Sequence, residues 1–293
     1  MKYRKTITAL VIVIAAVSVI CTTAGIFTRG GPGRYEYESI RGKTVIIYGE
    51  GLYRHMSADV AVQGIAQDYV TLILAVPLLI LSLYLARKNS VRGRFLLAGV
   101  SGYFFVTYLI YTLIAMYNAM FPAYLILLGS SFFTLFLAIS SFDFSSIKNH
   151  FDNKTPIKLA GGFLVFNAAA VSLMWLGVIV PPILDGSVIP VAAEHYTTLV
   201  VQGLDLALLL PAAFVSAVMF LKKKSAGYIY STVYLIFLSI LMTALTAKII
   251  AMGLSGVNII PAVFIIPFIN VVSVIFASLL LTNIKQGKGE DEH

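Results

Sequence analysis

Residues 66–94 read AQDYVTLILAVPLLILSLYLARKNSVRGR, and the fold is decided there. Between Tyr69 and Ala86 there is no charged residue, yet the stretch opens on Gln67 and Asp68 and closes on Arg87, Lys88, Arg92 and Arg94. At 1.5 Å per residue, about 20 apolar residues cross the roughly 30 Å of bilayer hydrocarbon. A lone strand in lipid would leave its backbone N–H and C=O groups unpaired, so the run is read as a helix. The basic cluster behind it is the loop that holds one membrane face.

The same pattern repeats outward in both directions. Spans are expected at 7–27, 66–86, 95–116, 120–141, 159–180, 197–221, 227–252 and 258–282. The chain of 293 residues is 59% hydrophobic and 12% charged, with a mean hydropathy of +0.92. Soluble domains carry about 25% charged residues. These figures exclude a soluble enzyme, a disordered chain and a nucleic-acid-binding domain. The expected fold is an all-α integral membrane protein of eight helices. The start, Met1-Lys2-Tyr3-Arg4-Lys5 before an apolar run to about Phe27, reads as an uncleaved first helix. With Cys21 as the single cysteine, no disulfide within the chain and no Cys-based metal site can form.

Fifteen of the 21 basic residues fall on alternate connections: Lys2, Arg4 and Lys5; Arg87, Lys88, Arg92 and Arg94; Lys148, Lys154 and Lys158; Lys222 to Lys224; Lys285 and Lys288. The short connections 117–119, 181–196 and 253–257 contain none. The positive-inside rule then puts both termini in the cytoplasm, with the chain in the cell (inner) membrane. The net charge of +8 is thereby explained by anchoring to the anionic leaflet. No nucleic-acid partner is implied; the lipid bilayer is the partner the composition demands. The outer loop 28–65 is nearly balanced in charge. Within it, Arg34–Ile40 alternates, Thr44–Tyr48 is β-branched and aromatic, and Arg41-Gly42-Lys43 between them reads as a hairpin turn. An isolated hairpin is marginal, so it must rest on the helix ends or meet a protein partner.

An offset of 134 residues superposes Pro77 on Pro211, Ser82 on Ser216, Lys88 on Lys222, Gly93 on Gly227, Leu72 on Leu206 and Thr112 on Thr246. Two four-helix units, 1–145 and 146–293, would each cross the membrane an even number of times. They would therefore run parallel, as a 4+4 repeat.

The eight spans hold three charged residues, Asp68, Asp205 and Lys248. A charge in hydrocarbon is costly and normally faces a bundle interior or water, which makes each a candidate. His195, Thr198, Gln202 and Asp205 follow i, i+3, i+7, i+10, one face of a helix, with Glu194 beside its top. Ser57 is placed to cap the second helix ahead of the membrane, followed by Asp59, Gln63 and Gln67 on one face. Tyr103, Thr107 and Tyr111 share a face of the third span. The functional reading is an outward-facing polar cavity between spans two, three, six and seven, roofed by the hairpin, with Asp205 as its deepest acid. Lys248 would pair with Asp205 or Glu194. The competing structural reading makes Asp205 and Lys248 a registry-fixing ion pair, lets Lys248 snorkel to the headgroups, and leaves Asp68, Glu194 and His195 solvated. Pro77, Pro211 and Pro267 are expected to kink their helices, and Trp175 to serve in packing or interface anchoring.

The chain has no GxxxxGK[ST] loop, HExxH, GxSxG or GxGxxG. His55, His150, His195 and His293 match no metal-ligand spacing. No cofactor and no metal are implied. Gly49-Glu50-Gly51-Leu52-Tyr53-Arg54, then Gln67-Asp68-Tyr69-Val70-Thr71-Leu72, the Arg92-Gly93-Arg94 turn and Val201-Gln202-Gly203-Leu204-Asp205 resemble a group of prokaryotic multi-pass membrane proteins of about eight spans with no assigned activity. That resemblance covers most of the chain and brings no chemistry with it. The long outer loop followed by three helices is also similar to the claudin-like layout, but the paired loop cysteines of that family are missing here. Three functions remain open from sequence: binding or transport of a small solute or ion, with Asp205 as coupling acid; a sensor or assembly subunit working through the outer loop; and an enzyme on a lipid or quinone using Asp68, His195 or Glu194.

Overall fold

In the computed structural model, residues 2–285 are described. Expectations that fall on Lys288 and His293 lie outside the described residues. Eight helices are long and apolar enough to cross a membrane: α1 (Arg4–Phe27), α2 (Ala58–Arg87), α3 (Val91–Ile114), α4 (Phe121–Ser140), α5 (Ile157–Leu184), α6 (Val200–Leu221), α7 (Ser225–Leu254) and α8 (Ala262–Thr282). The chain is a multi-pass membrane protein. Between α1 and α2 stands the hairpin, β1 (Tyr35–Glu38) against β2 (Thr44–Ile47), with Tyr35 opposite Ile47 and Glu38 opposite Thr44. It turns at Gly42, whose φ of 68° favours glycine. Val45 and Ile47 point inward while Thr44 and Ile46 stay exposed.

The helices define two ends. At the basic end, Arg92 donates to the carbonyls of Thr282 and Ile284, each at 2.9 Å, and Arg87 donates to Thr8 at 3.1 Å. At the hairpin end, the Arg41 guanidinium donates to three carbonyls of the connection between α5 and α6: Glu194 at 3.1 Å, Tyr196 at 2.8 Å and Thr197 at 3.1 Å. The loop of the first half is thus tied to the loop of the second.

The core lies where α3 crosses α7. Two thirds of the most apolar window of α3 is buried, against 17% for α5 and α8, which face outward. Small residues permit the approach: a Cβ on Gly99 would overlap Ile236, and one on Gly102 would touch Phe237 at 3.6 Å. Both basic turns are built alike. Asn89 and Lys223 take positive φ, 59° and 53°. A Cβ on Gly93 would run into Leu85 and Ala86, and one on Gly227 into the backbone of Met219 and Phe220. Only glycine lets the returning helix pass that close at either turn.

The boundaries agree with expectation in part. The second helix begins at Ala58, directly after Ser57 and ahead of the membrane span expected from 66, as the sequence suggested. The Ser57 side chain makes no capping bond there; its backbone N–H donates instead to the Tyr196 hydroxyl at 3.2 Å. The sixth span begins at Val200 rather than 197. Glu194 has φ 45° and ψ −122°, which no helix accepts, so His195 and Thr198 lie in a loop. Their predicted helical face with Gln202 and Asp205 is not formed. Pro77 and Pro211 share a local setting that the expectation of a kink did not include. Each follows a π-helical turn, Thr71–Ala75 and Asp205–Leu209. Proline supplies no N–H and crowds the preceding turn, and a wider turn relieves both problems.

Candidate functional site

A cavity of about 220 Å³ opens at the hairpin end between the two halves. Its walls come from α2 (Val60, Gln63, Gly64), α3 (Ile110, Tyr111, Ile114), α5 (Trp175), α6 (Val201, Gln202) and α7 (Lys248). Tyr53 and Met56 of the first loop and Ala192, Tyr196, Thr198 and Leu199 of the second close it. The two loops, rather than the hairpin strands, form the roof. Burial pushes the Tyr196 phenol up to about 12, opposed by the Ser57 N–H it accepts.

Behind the cavity wall lies Asp68, 2% exposed. Its Oδ2 accepts a hydrogen bond from the Tyr53 hydroxyl at 2.6 Å and its Oδ1 lies 3.2 Å from the Tyr111 hydroxyl. Tyr111 is also 2.9 Å from the Gly64 carbonyl. Both phenols line the cavity; the carboxyl does not. Burial, and then the Asp68 carboxylate, hold the loop residue Tyr53 well above the usual phenol range. On the far side, a Cβ on Gly25 of α1 would overlap Asp68 Oδ2, so this glycine makes room for the pair. Deeper still, the Gln67 amide donates to Tyr103 at 2.8 Å and Thr107 at 3.2 Å, and Thr71 bonds Tyr103 at 2.7 Å.

Asp205 holds a different post. Its Oδ2 accepts the indole N–H of Trp175 at 2.7 Å, and Trp175 forms part of the cavity wall. It is half-buried, whereas Asp68 is fully buried, so Asp68 is the more enclosed of the two acids. Lys248 is half-buried and lines the cavity. It lies within electrostatic range of both carboxylates. The expected ion pair with Asp205 or Glu194 is not formed: among the described residues the one ion pair within 4.0 Å is Lys285–Asp152, at the other end. Three ammonium donors therefore face the cavity unspent.

Comparison with protein-family models, with curated proteins and with solved structures finds no match to this chain. The site must be read from its own geometry.

Of the residues singled out in the sequence, Tyr111, Gln202 and Lys248 come together on the cavity wall. Asp68 and Gln67 sit behind it, and Asp205 acts on it through Trp175. His195 and Glu194 belong to the loop. His195 Nε2 lies 3.1 Å from the His55 carbonyl, with its ring edge-on to Tyr37, while Glu194 borders a separate hollow with Lys43 and Asp59. Among the described residues, no group of three or more His, Cys, Asp or Glu is placed to hold a metal ion. Sequence reasoning missed Tyr53, Trp175, Tyr196 and Gly25. Tyrosine and tryptophan near a membrane surface are common anchors, so their type alone carried no signal.

Proposed function

We propose that the protein binds a small solute in this cavity and moves it across the cell membrane. The observation that supports this is the Lys248 amine: a cation on a membrane helix, facing a polar cavity, with no hydrogen bond or ion pair to any described residue. A charge in that position is costly without a partner. A solute carrying a carboxylate or another strong acceptor supplies one. Gln63, Gln202 and Thr198 offer further hydrogen bonds, and Val60, Ile110, Ile114 and the Trp175 indole offer an apolar wall. At about 220 Å³ the space is below the roughly 300–1,000 Å³ of drug-sized sites, so the solute is small. Because both halves contribute walls, rocking one half against the other would open the site to either side. Both termini are cytoplasmic in this reading, and the hairpin end with its cavity faces outward.

The sole tryptophan makes the test direct. In purified full-length protein, iodide is expected to quench Trp175 fluorescence several-fold better than caesium ion, and Lys248→Gln to remove the difference. Uptake of small carboxylates by cells should fall at least tenfold in Lys248→Gln while the variant still inserts. Equal quenching by both ions, indifferent to Lys248→Gln, would count against an anion-attracting cavity.

A further inference from the structure

Asp68 lies behind the cavity wall, and its surroundings assign it a different task from solute binding. We propose that Asp68 is a proton-exchange site, filled and emptied from the cavity through the hydroxyls of Tyr53 and Tyr111. This rests on the solute reading only for the cavity as the route to water.

The groups around the carboxyl come from every neighbouring element. Cys21 and Gly25 approach from α1, Tyr53 from the loop, Tyr103, Tyr108 and Tyr111 from α3, Tyr124 from α4 and Lys248 from α7. Lys248 is the only cation among them, and it stays beyond 4.0 Å. The polar contacts of the carboxyl are therefore phenols, which can serve either of its charge states.

Tyr111 shows how. Its hydroxyl has one proton and lies within reach of two acceptors, Gly64 O at 2.9 Å and Asp68 Oδ1 at 3.2 Å. When Asp68 is ionised, the Tyr111 proton turns to Oδ1 and Tyr53 serves Oδ2. When Asp68 is protonated on Oδ1, it donates to the Tyr111 oxygen, and the Tyr111 proton turns to the Gly64 carbonyl. Both states are fully bonded, and the passage between them needs one hydroxyl rotation and no side-chain movement. The exchange balances simply. A hydronium ion in the cavity gives its proton to the Tyr111 oxygen as the phenol's own proton passes to the carboxylate, leaving water and a carboxylic acid.

The path ends there. Past Asp68 the polar cluster of Gln67, Tyr103 and Thr71 meets buried Ala75 and Leu79 on the same helix. Gln67 Oε1 is buried in this cluster without a hydrogen-bond partner. A proton that enters must leave by the way it came, so Asp68 stores a proton and does not conduct one. A store coupled to an occupied or empty cavity is what a proton-linked carrier requires, and it takes the coupling role away from Asp205.

Infrared difference spectroscopy of the full-length protein in lipid, with pH as the only variable, tests this without any solute. The expected result is a protonated-carboxyl C=O component, resolved from the band of the exposed carboxyls, that appears and disappears with pH and shifts on transfer to D₂O. Asp68→Asn should abolish it, Asp205→Asn should leave it, and Tyr111→Phe should keep it at a changed frequency. The Tyr111→Phe and Tyr53→Phe variants remain informative where Asp68→Asn does not fold. A band absent from the native protein, or one that survives Asp68→Asn, or one with an unchanged frequency in both tyrosine variants, overturns the proposal. Failure here with Lys248-dependent iodide quenching intact removes the proton store and leaves the solute site standing. Loss of that quenching with the band intact does the reverse.

Discussion

Thr71 and Asp205 occupy the same place in the two halves of the chain. Each opens a five-residue π-helical turn, 71–75 and 205–209, and each turn is followed at the same distance by a proline, Pro77 or Pro211. Each also spends its side chain across a helix interface, Thr71 on Tyr103 at 2.7 Å and Asp205 on Trp175 at 2.7 Å. The widened turn and the polar residue at its head are thus one device used twice. In the first half it faces the buried cluster behind the cavity, and in the second it fixes the cavity's indole wall.

A π-turn amounts to one extra residue in an α-helix, so removing one residue from it restores ordinary geometry with the flanking segments still aligned. Deleting Ile73, an exposed residue of the first turn, should give inserted, monodisperse protein. Deleting Leu81, also exposed but in regular helix, rotates everything before it by about 100° and should abolish folding. Size-exclusion profiles of the two deletions decide it; equal yields would mean the turn is not a one-residue insertion.

Gly25 should be intolerant for a specific reason. The Cβ of Gly25→Ala meets Asp68 Oδ2 and the Tyr53 hydroxyl, two groups already committed to each other. Overpacking of this kind costs about 1–3 kcal/mol. In an Asp68→Ala background the nearer obstruction is gone and the Tyr53 hydroxyl has lost the partner that fixes it, so the same substitution should cost less. Thermal unfolding of the four proteins in a double-mutant cycle measures the coupling. Additive effects would show that the two residues do not compete for space.

The eight spans and the hairpin were legible because each is written locally. Runs such as Tyr69–Ala86 need only length and composition to be recognised, and the hairpin needs only alternation around Gly42. The cavity was legible in outline from where polar residues enter the spans, and Lys248, Gln202 and Tyr111 do line it. Its chemistry was not legible, because it is set by contacts between distant positions. Tyr53 finds Asp68 across a loop, Trp175 finds Asp205 from the preceding helix, and Arg41 finds carbonyls more than 150 positions away. The start of α6 was misjudged for a related reason. A polar residue every three or four positions suggested a helix through His195, and the backbone at Glu194 is held out of helix by the loop that Arg41 grips.

Arg41 itself should behave as a clasp on the roof of the cavity. Its three carbonyl acceptors lie on the loop that supplies Tyr196, Thr198 and Leu199 to the lining. Arg41→Ala is expected to speed amide exchange across 191–199 about tenfold or more, while 35–47 keeps its protection. With partial exposure, the global cost should be only about 1–3 kcal/mol. Arg41→Lys should recover part of the protection, since a single ammonium cannot span three carbonyls as a planar guanidinium does. Unchanged exchange in 191–199 would show that the loop holds itself in place.

Alkaline pH should loosen the same roof through Tyr196. In the folded protein its phenol ionises at about 12, raised from 10.0 chiefly by burial. A group whose folded value lies above its unfolded one contributes stability in full below the unfolded value and loses it as pH rises through the folded one. The contribution of Tyr196 is therefore intact at neutral pH, begins to decline near pH 10 and is spent by about pH 12. Tyr196→Phe should behave differently at the two extremes. At neutral pH it leaves the Ser57 N–H without its acceptor, at a cost of about 1–3 kcal/mol for a buried donor. Above pH 10 the phenylalanine has no proton to lose, so the gap in melting temperature between variant and native protein should narrow with every step in pH. Other buried tyrosines titrate equally in both proteins and cancel from the difference. A gap that stays constant from pH 8 to 12 would mean that Tyr196 is not ionising inside the roof.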